Sequence, residues 1–270
     1  MKKKYLMWAV ALLLMLAGCK EIGNEKKNAD KNGYGRSKID AVIEEDTLKV
    51  SDSVVLRYSS KLLWFPDLED ENLLKEIYPD KNISDFSKSG LQDYLKHEKQ
   101  DVYDRVLNSG RLSEIKQQQQ WSYISQMNVR TNKNNYVSIQ YYESQSGIES
   151  KSRYHYEERV FDFKNKKKLK LSDILVLSEE TIRRILKLSL ERTAMMQQIK
   201  TYDRGAYNVL SAVTFSVTQN FYFDDFNLYF HYNMNEISHD YDIGDIILTI
   251  SWKDLSGYIQ LDFARRMKIN

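Results

Sequence analysis

Apolar residues along this chain recur at two periods, and the switches between them mark out the elements. Val50 to Tyr58 carries Val54, Val55 and Leu56 and predicts a strand. From Glu69 to Tyr78, Leu73, Leu74 and Ile77 fall on one side of a short helix. That helix must end before Pro79, which has no amide hydrogen to donate and restricts the residue before it. Leu91, Leu95, Val102 and Val106 recur near helical spacing, with Tyr94 beside Leu91, and predict a long helix stopped at Asn108-Ser109-Gly110.

A strand-rich region follows. Trp121 to Val129, Asn135 to Tyr142 and Ser152 to Phe163 alternate or run in β-branched and aromatic residues, with a turn at Gly147 between the last two. Asn165 and its lysines mark another turn, after which Leu169 and Leu171 resume a short extended piece. Ser178 is a fitting N-cap for a second long helix, with Glu179 and Glu180 near the positive helix end, Ile182, Ile185 and Leu186 opening the apolar face and Met196 closing it. Strands are predicted again at Ala212 to Val217, Phe221 to Phe223, Leu228 to Tyr232 and Ile246 to Ile250, with Asp224-Asp225 as a hairpin turn. Strands and helices come in runs, which predicts an α+β fold of mainly antiparallel sheet packed with two long helices.

The first residues read differently. Lys2, Lys3 and Lys4 precede an uncharged apolar run from Tyr5 to Ala17, shorter than the roughly 20 residues a membrane span needs. The run closes on Leu16-Ala17-Gly18-Cys19, which resembles a bacterial lipobox. That resemblance implies a signal peptide over 1–18, cleavage after Gly18, and a lipid on Cys19 that fixes the chain to a membrane of the cell envelope. Residues 19–48 are polar with little apolar periodicity and are expected to form a flexible tether. The folded part is expected over 49–270, as an N-terminal half (49–145) and a C-terminal half (146–260). Lys20, rather than aspartate, after the cysteine favours the outer membrane.

Composition narrows the chemistry. Cys19 is the sole cysteine, so the exported part is expected to have no disulfide and no thiolate metal site. The net charge of +2 falls to −1 once Lys2, Lys3 and Lys4 leave, which argues against nucleic acid as a partner. Lys164, Lys166, Lys167, Lys168 and Lys170 form a local basic cluster, read as a solvated turn and strand edge.

The last third carries a family likeness. Asn220-Phe221-Tyr222-Phe223-Asp224, then Leu228-Tyr229-Phe230-His231-Tyr232-Asn233, Asn235-Glu236-Ile237, Gly244 and Ile246 to Ile250 resemble the C-terminal domain of RsiV-like proteins. Phe161-Asp162-Phe163 and Leu169-Lys170-Leu171-Ser172-Asp173-Ile174 resemble an upstream part of it. Such domains occur in lysozyme-sensing anti-sigma factors and in some peptidoglycan deacetylases. The resemblance implies an envelope domain that binds a muramidase-like protein or a cell-wall ligand. The chain departs from the pattern at Ser146 to Lys151, where relatives carry a glycine-histidine-glycine loop, and at Glu236 to Gly244, where they carry prolines. The loops 144–152 and 236–244 are where a partner could be gripped, and the sequence leaves open whether they border one concave surface.

No catalytic constellation is evident. His231 and His239, with Asp240 or Asp242, are the one combination suggesting zinc, against the plainer reading of a strand and a loop histidine. Glu157 and Glu158 are adjacent and on a strand point to opposite faces, whereas a hairpin would allow Glu143 and Glu157 to share one. No Gly-x-Ser-x-Gly elbow, phosphate loop or dinucleotide fingerprint occurs. Tyr141, Tyr142, Tyr154, Tyr156, Tyr222, Tyr229, Tyr232 and Trp252 fall largely on strands, as core for the most part and as a binding platform where one face stays open. The expectation is a non-enzymatic, lipid-anchored binding protein without cofactor. A cell-wall hydrolase, a deacetylase accessory and an envelope assembly factor are the alternatives.

Overall fold

The computed structural model describes residues 35–148, 152–238 and 244–269, and Cys19 lies outside them. Six strands form the larger sheet: β1 (Asp40–Lys49), β2 (Val54–Trp64), β3 (Gln119–Lys133), β4 (Tyr136–Ser146), β5 (Arg153–Asp162) and β6 (Lys167–Lys168), in spatial order β1 to β6. Every neighbouring pair is antiparallel except β2 and β3. A parallel pair needs a long crossover, and here it carries two helices, α1 (Glu71–Ile77) and α2 (Lys88–Leu107). Asp70 caps α1 by accepting from the Leu73 amide at 3.0 Å, and Ser87 caps α2 by accepting from Gly90 at 3.1 Å. The predicted apolar stripe of α2, Leu91, Leu95, Val102 and Val106, is buried against Leu56, Leu62, Met127 and Ile139 of the sheet.

The second half is built on a three-stranded antiparallel sheet of β7 (Phe221–Phe223), β8 (Asn227–Tyr232) and β9 (Ile246–Ser251). Its inner face, with Phe221, Phe223, Leu228, Phe230, Leu248 and Ile250, packs on α3 (Glu179–Arg192), α4 (Ala194–Tyr202), α5 (Arg204–Ala212) and α6 (Leu261–Met267). The protein is thus a mixed α+β fold of two mostly antiparallel sheets, with six α-helices among the described residues. None of those helices is long and apolar enough to cross a membrane.

Several boundaries differ from the sequence pattern. β1 occupies the end of the stretch read as tether. Its acidic residues obscure the alternation, but Val42 is buried and Lys88 and Lys99 of α2 neutralise Asp40 and Glu44. The second long helix is broken. Thr193 is extended, its hydroxyl accepts from the Met196 amide at 3.2 Å, and it thereby ends α3 and caps α4. The strand expected over Ala212 to Val217 is instead the end of α5 and an irregular segment, because Ala206 and Leu210, one turn apart, bury a helical face. Leu171 opens a short 3-10 turn rather than extending a strand. The Asp224-Asp225 turn stands as predicted, with Asp224 accepting from the amides of Phe226 and Asn227 at 2.7 and 2.8 Å.

Helix α6, not predicted, is held by a buried ion pair. The Arg266 guanidinium donates to both Asp162 carboxylate oxygens at 2.6 and 3.0 Å and to the Asn134 carbonyl at 3.1 Å, with Tyr136 beneath it at 4.0 Å. Burial pushes the Asp162 carboxyl up, but hydrogen bonds from Arg266 and the Asn165 amide outweigh it and hold the pKa below the ordinary 3.8. Arg266→Ala strands a buried carboxylate and is expected to cost about 3–5 kcal/mol in urea denaturation. The stability that Asp162 lends is complete above the unfolded value of 3.8 and is lost as pH falls through the lower folded value. Asp162→Asn is therefore expected to flatten the acid limb of the stability curve.

Candidate functional site

The two sheets meet along β5, and two asparagine side chains make the junction. The Asn233 amide accepts from the Tyr156 N–H at 2.7 Å and donates to the Tyr156 carbonyl at 2.9 Å, as a neighbouring strand would. Asn220 donates to the carbonyls of Tyr156 at 3.1 Å and His231 at 2.9 Å, and accepts from the Glu158 amide. Beneath them Glu158 is buried and accepts from Gln140 at 2.8 Å, with Arg130 at 3.5 Å and His231 Nδ1 at 3.1 Å. Tyr142, Tyr156 and His231 stack in sequence, with ring centres 4.7 and 4.9 Å apart. His231 is therefore a packed seam residue.

The zinc reading of His231 finds no support here. Glu158 meets its Nδ1 while Asp245 stands 3.6 Å from its Nε2, so the two carboxylates lie at opposite ring nitrogens and cannot share one ion with it. Among the described residues no group of three His, Cys, Asp or Glu is placed to hold a metal. His239, Asp240 and Asp242 lie outside the described residues. The described flanks of the two loops do meet, since the Tyr154 hydroxyl donates to Asp245 at 3.3 Å. Of the tyrosines and Trp252 considered as a platform, Tyr232 and Trp252 are core, whereas Tyr154 is 36% exposed.

On the opposite face of the large sheet lies a cleft of about 260 Å³. Its floor is set by strand register: Ser125, Glu143 and His155 stand side by side across β3, β4 and β5, and Met127, Tyr141 and Glu157 form the next row. Alternation places these side chains on the face toward α1, away from Glu158. Glu143 and Glu157 thus share a face, as the sequence allowed, and Glu157 and Glu158 are divided between faces. The wall is the segment after α1, Pro79 to Lys81, where Asp80 takes a left-handed conformation (φ 59°). The Tyr141 hydroxyl donates to the Ile77 carbonyl at 2.7 Å and fixes that wall to the floor. Burial drives the Tyr141 phenol well above its ordinary pKa of 10.0, so it stays protonated.

Ion pairs sort the charges around the cleft. Both Glu157 oxygens receive Arg159, at 2.5 and 2.8 Å, and Arg159 also lies over the Tyr141 ring at 5.2 Å. Lys81 meets Glu98 at 3.1 Å, and Glu98 also accepts from Tyr58 and Ser60 at 2.8 Å each. Burial raises the Glu98 pKa, but Lys81 and the two hydroxyls more than offset that and keep it ionised below 4.5. No ion pair reaches Asp80 or Glu143 among the described residues, and His155 is exposed with nothing orienting its ring. Sequence reasoning missed Asp80, Lys81, Ser125 and Arg159. A proline directly after a helix, forcing a turn over the sheet, was the available signal.

These features define a two-sheet α+β fold with one polar cleft on the helical side of its larger sheet. No described protein family matches the chain by sequence, and no curated protein matches it. Solved structures do. A member of the DUF3298 family, BF2082 of Bacteroides fragilis NCTC 9343, superposes with a TM-score of 0.67 at 16% identity, over 88% of this chain and 99% of that one. A DUF3298 family protein, PA4972 of Pseudomonas aeruginosa PAO1, does so with a TM-score of 0.55 at 16% identity, over 85% and 97%. Identity this low establishes the fold alone. The matches overturn the RsiV-like assignment made from the sequence. The physical reason is visible at the seam: Asn220, His231 and Asn233, which carried the likeness, hold the two sheets together and report architecture, not a ligand.

Asn220→Ala leaves the His231 carbonyl and the Glu158 amide at the seam without their partner, while the Tyr156 carbonyl keeps Asn233. It is expected to destabilise the fold by roughly 3 kcal/mol, at about 1–3 kcal/mol per buried group left unpaired, in urea denaturation. A loss under about 1 kcal/mol would show that water replaces the amide.

Proposed function

We propose that this chain is a lipid-anchored binding protein of the cell envelope, without catalysis of its own, whose cleft over β3–β5 holds a polar cell-wall ligand. The single observation that carries the binding reading is the state of the cleft's acids and bases. Glu157 is clamped through both oxygens by Arg159, which fixes it in place as an acceptor for a ligand's donors. Glu158, its neighbour in the chain, lies on the far side of the sheet against His231. His155 lacks the second hydrogen bond that sets a catalytic tautomer. What remains is a set of hydrogen-bonding groups on a rigid sheet, which suits recognition.

Anchoring rests on Leu16-Ala17-Gly18-Cys19 and the charged and apolar run before it. Acyl chains on one residue contribute about 0.8 kcal/mol per buried methylene, and two or more hold a soluble domain at a bilayer. The outer membrane is the favoured site because Lys20 follows the cysteine.

Two measurements test this. Cys19→Ser is expected to move the chain from the membrane to the soluble fraction and to remove the mass of the acyl groups. An unchanged mass in the membrane fraction would refute lipidation. The full lipoprotein in detergent is expected to sediment with purified peptidoglycan and to release no soluble fragments from it. A chain that stays in the supernatant, or that releases muropeptides, would contradict the binding reading.

A further inference from the structure

Strand β1 ends the large sheet with ten residues in unbroken register against β2. The Val50 amide donates to the Val54 carbonyl at 3.0 Å as their hairpin closes. Successive residues of an antiparallel ladder turn their backbone groups to opposite sides, so the even-numbered residues of β1 bond to β2. Ala41, Ile43, Glu45, Thr47 and Lys49 therefore turn their amides and carbonyls outward. Such a row is a template for a strand of another chain.

Two of those outward amides are already taken. The Ala41 amide donates to Asp40 Oδ1 at 2.9 Å, and the Thr47 amide to Asp46 Oδ1 at 2.7 Å. A lysine of α2 holds each carboxylate in turn, Lys88 meeting Asp40 at 2.7 Å and Lys99 meeting Asp46 at 3.2 Å. These contacts keep both carboxyls below the ordinary 3.8, with Lys88 foremost at Asp40 and the Thr47 amide foremost at Asp46. The short side chain matters. Aspartate returns to the next amide, whereas Glu45, one methylene longer, reaches across to the Ser59 hydroxyl at 3.1 Å. Between the two aspartates, the outward groups of Ile43 and Glu45 have no partner among the described residues, and Ile43 is 52% exposed. The small sheet closes its β9 edge in a similar way: Ser189 Oγ of α3 accepts from the Thr249 amide at 3.2 Å and donates to its carbonyl at 2.9 Å.

We propose that Asp40 and Asp46 guard β1 against pairing with β1 of a second copy of this chain. Identical edges can pair antiparallel across a two-fold axis, and each outward amide must then reach a carbonyl oxygen of the other copy. At Ala41 and Thr47 a carboxylate oxygen already stands in that place, and its charge repels an incoming carbonyl. The placement of the guards fits self-pairing in particular. Ala41 and Thr47 lie equally far from Glu44, which Lys99 already neutralises. Antiparallel pairing about Glu44 would set Ala41 of each copy against Thr47 of the other, and the guards withhold the amides of both these outer pairs. The window left from Ile43 to Glu45 is shorter than the roughly 5–6 residues of an ordinary strand.

Sedimentation equilibrium of the full chain in a density-matched detergent tests this. The wild type is expected to remain monomeric, and Asp40→Ala combined with Asp46→Ala to self-associate at least tenfold more tightly. Glu45→Ala removes an acid from the same strand but no cap, and is expected to stay monomeric. Ile43→Pro added to the double variant is expected to restore the monomer, since it removes only an outward amide that β2 does not use. Hydrogen exchange in the wild type needs no substitution: the amides of Ala41 and Thr47 are expected to be protected at least tenfold more than those of Ile43 and Glu45. If the double variant fails to fold, that comparison decides alone. A self-associating wild type, a folded double variant that stays monomeric, equal association of Glu45→Ala, dimers that persist with Ile43→Pro, or equal protection of the four amides would each overturn the proposal.

Discussion

The architecture depends on side-chain amides that substitute for a missing strand. β5 is covered by β6 only at Phe161 and Asp162, and over the rest of its free edge must carry the small sheet, whose strands do not pair with it in register. Asn233 supplies a donor and an acceptor to the Tyr156 backbone, and Asn220 joins Tyr156, Glu158 and His231 from below. Leaving those buried backbone groups unpaired would cost more than most single packing defects. Once they are paired, Tyr142, Tyr156 and His231 stack in a fixed order, and Glu158 is sealed between the sheets. The alternation of β5 then dictates the rest. If Tyr156 and Glu158 face the seam, His155 and Glu157 must face the cleft.

Much of this was legible in the sequence, for identifiable reasons. The capped helices α1 and α2 carry their signals locally, in Asp70, Ser87 and the buried leucines. The separation of Glu157 from Glu158 follows from a period of two and needs no tertiary information. Elements governed by long-range contacts were not legible. β1 looks polar because its acids are neutralised by Lys88 and Lys99, some 50 positions away in the chain. Helix α6 needs Asp162 to accept its buried Arg266, and the break at Thr193 is a choice between two caps of similar appearance.

The cleft illustrates the same division. Glu143 and Glu157 were visible as a same-face pair, but their inequality was not. Arg159 clamps one through both oxygens and leaves the other without a counter-charge, a distinction that only the folded arrangement reveals. Conversely, the residues that drew most attention in the sequence, Asn220, His231 and Asn233, prove to be fastenings. Motifs of structural asparagines travel with a fold whatever the fold binds.

The account stands on the face of β3–β5 toward α1 being where a ligand rests. Amide hydrogen exchange on the intact lipoprotein, with and without soluble peptidoglycan fragments, reads that directly. Slower exchange is expected at residues 80–81, 125–127, 141–143 and 155–157, with no change at Asn220, His231 and Asn233 of the seam. Protection confined to the seam, to the α3–β9 side, or to no segment at all would contradict the assignment of the cleft.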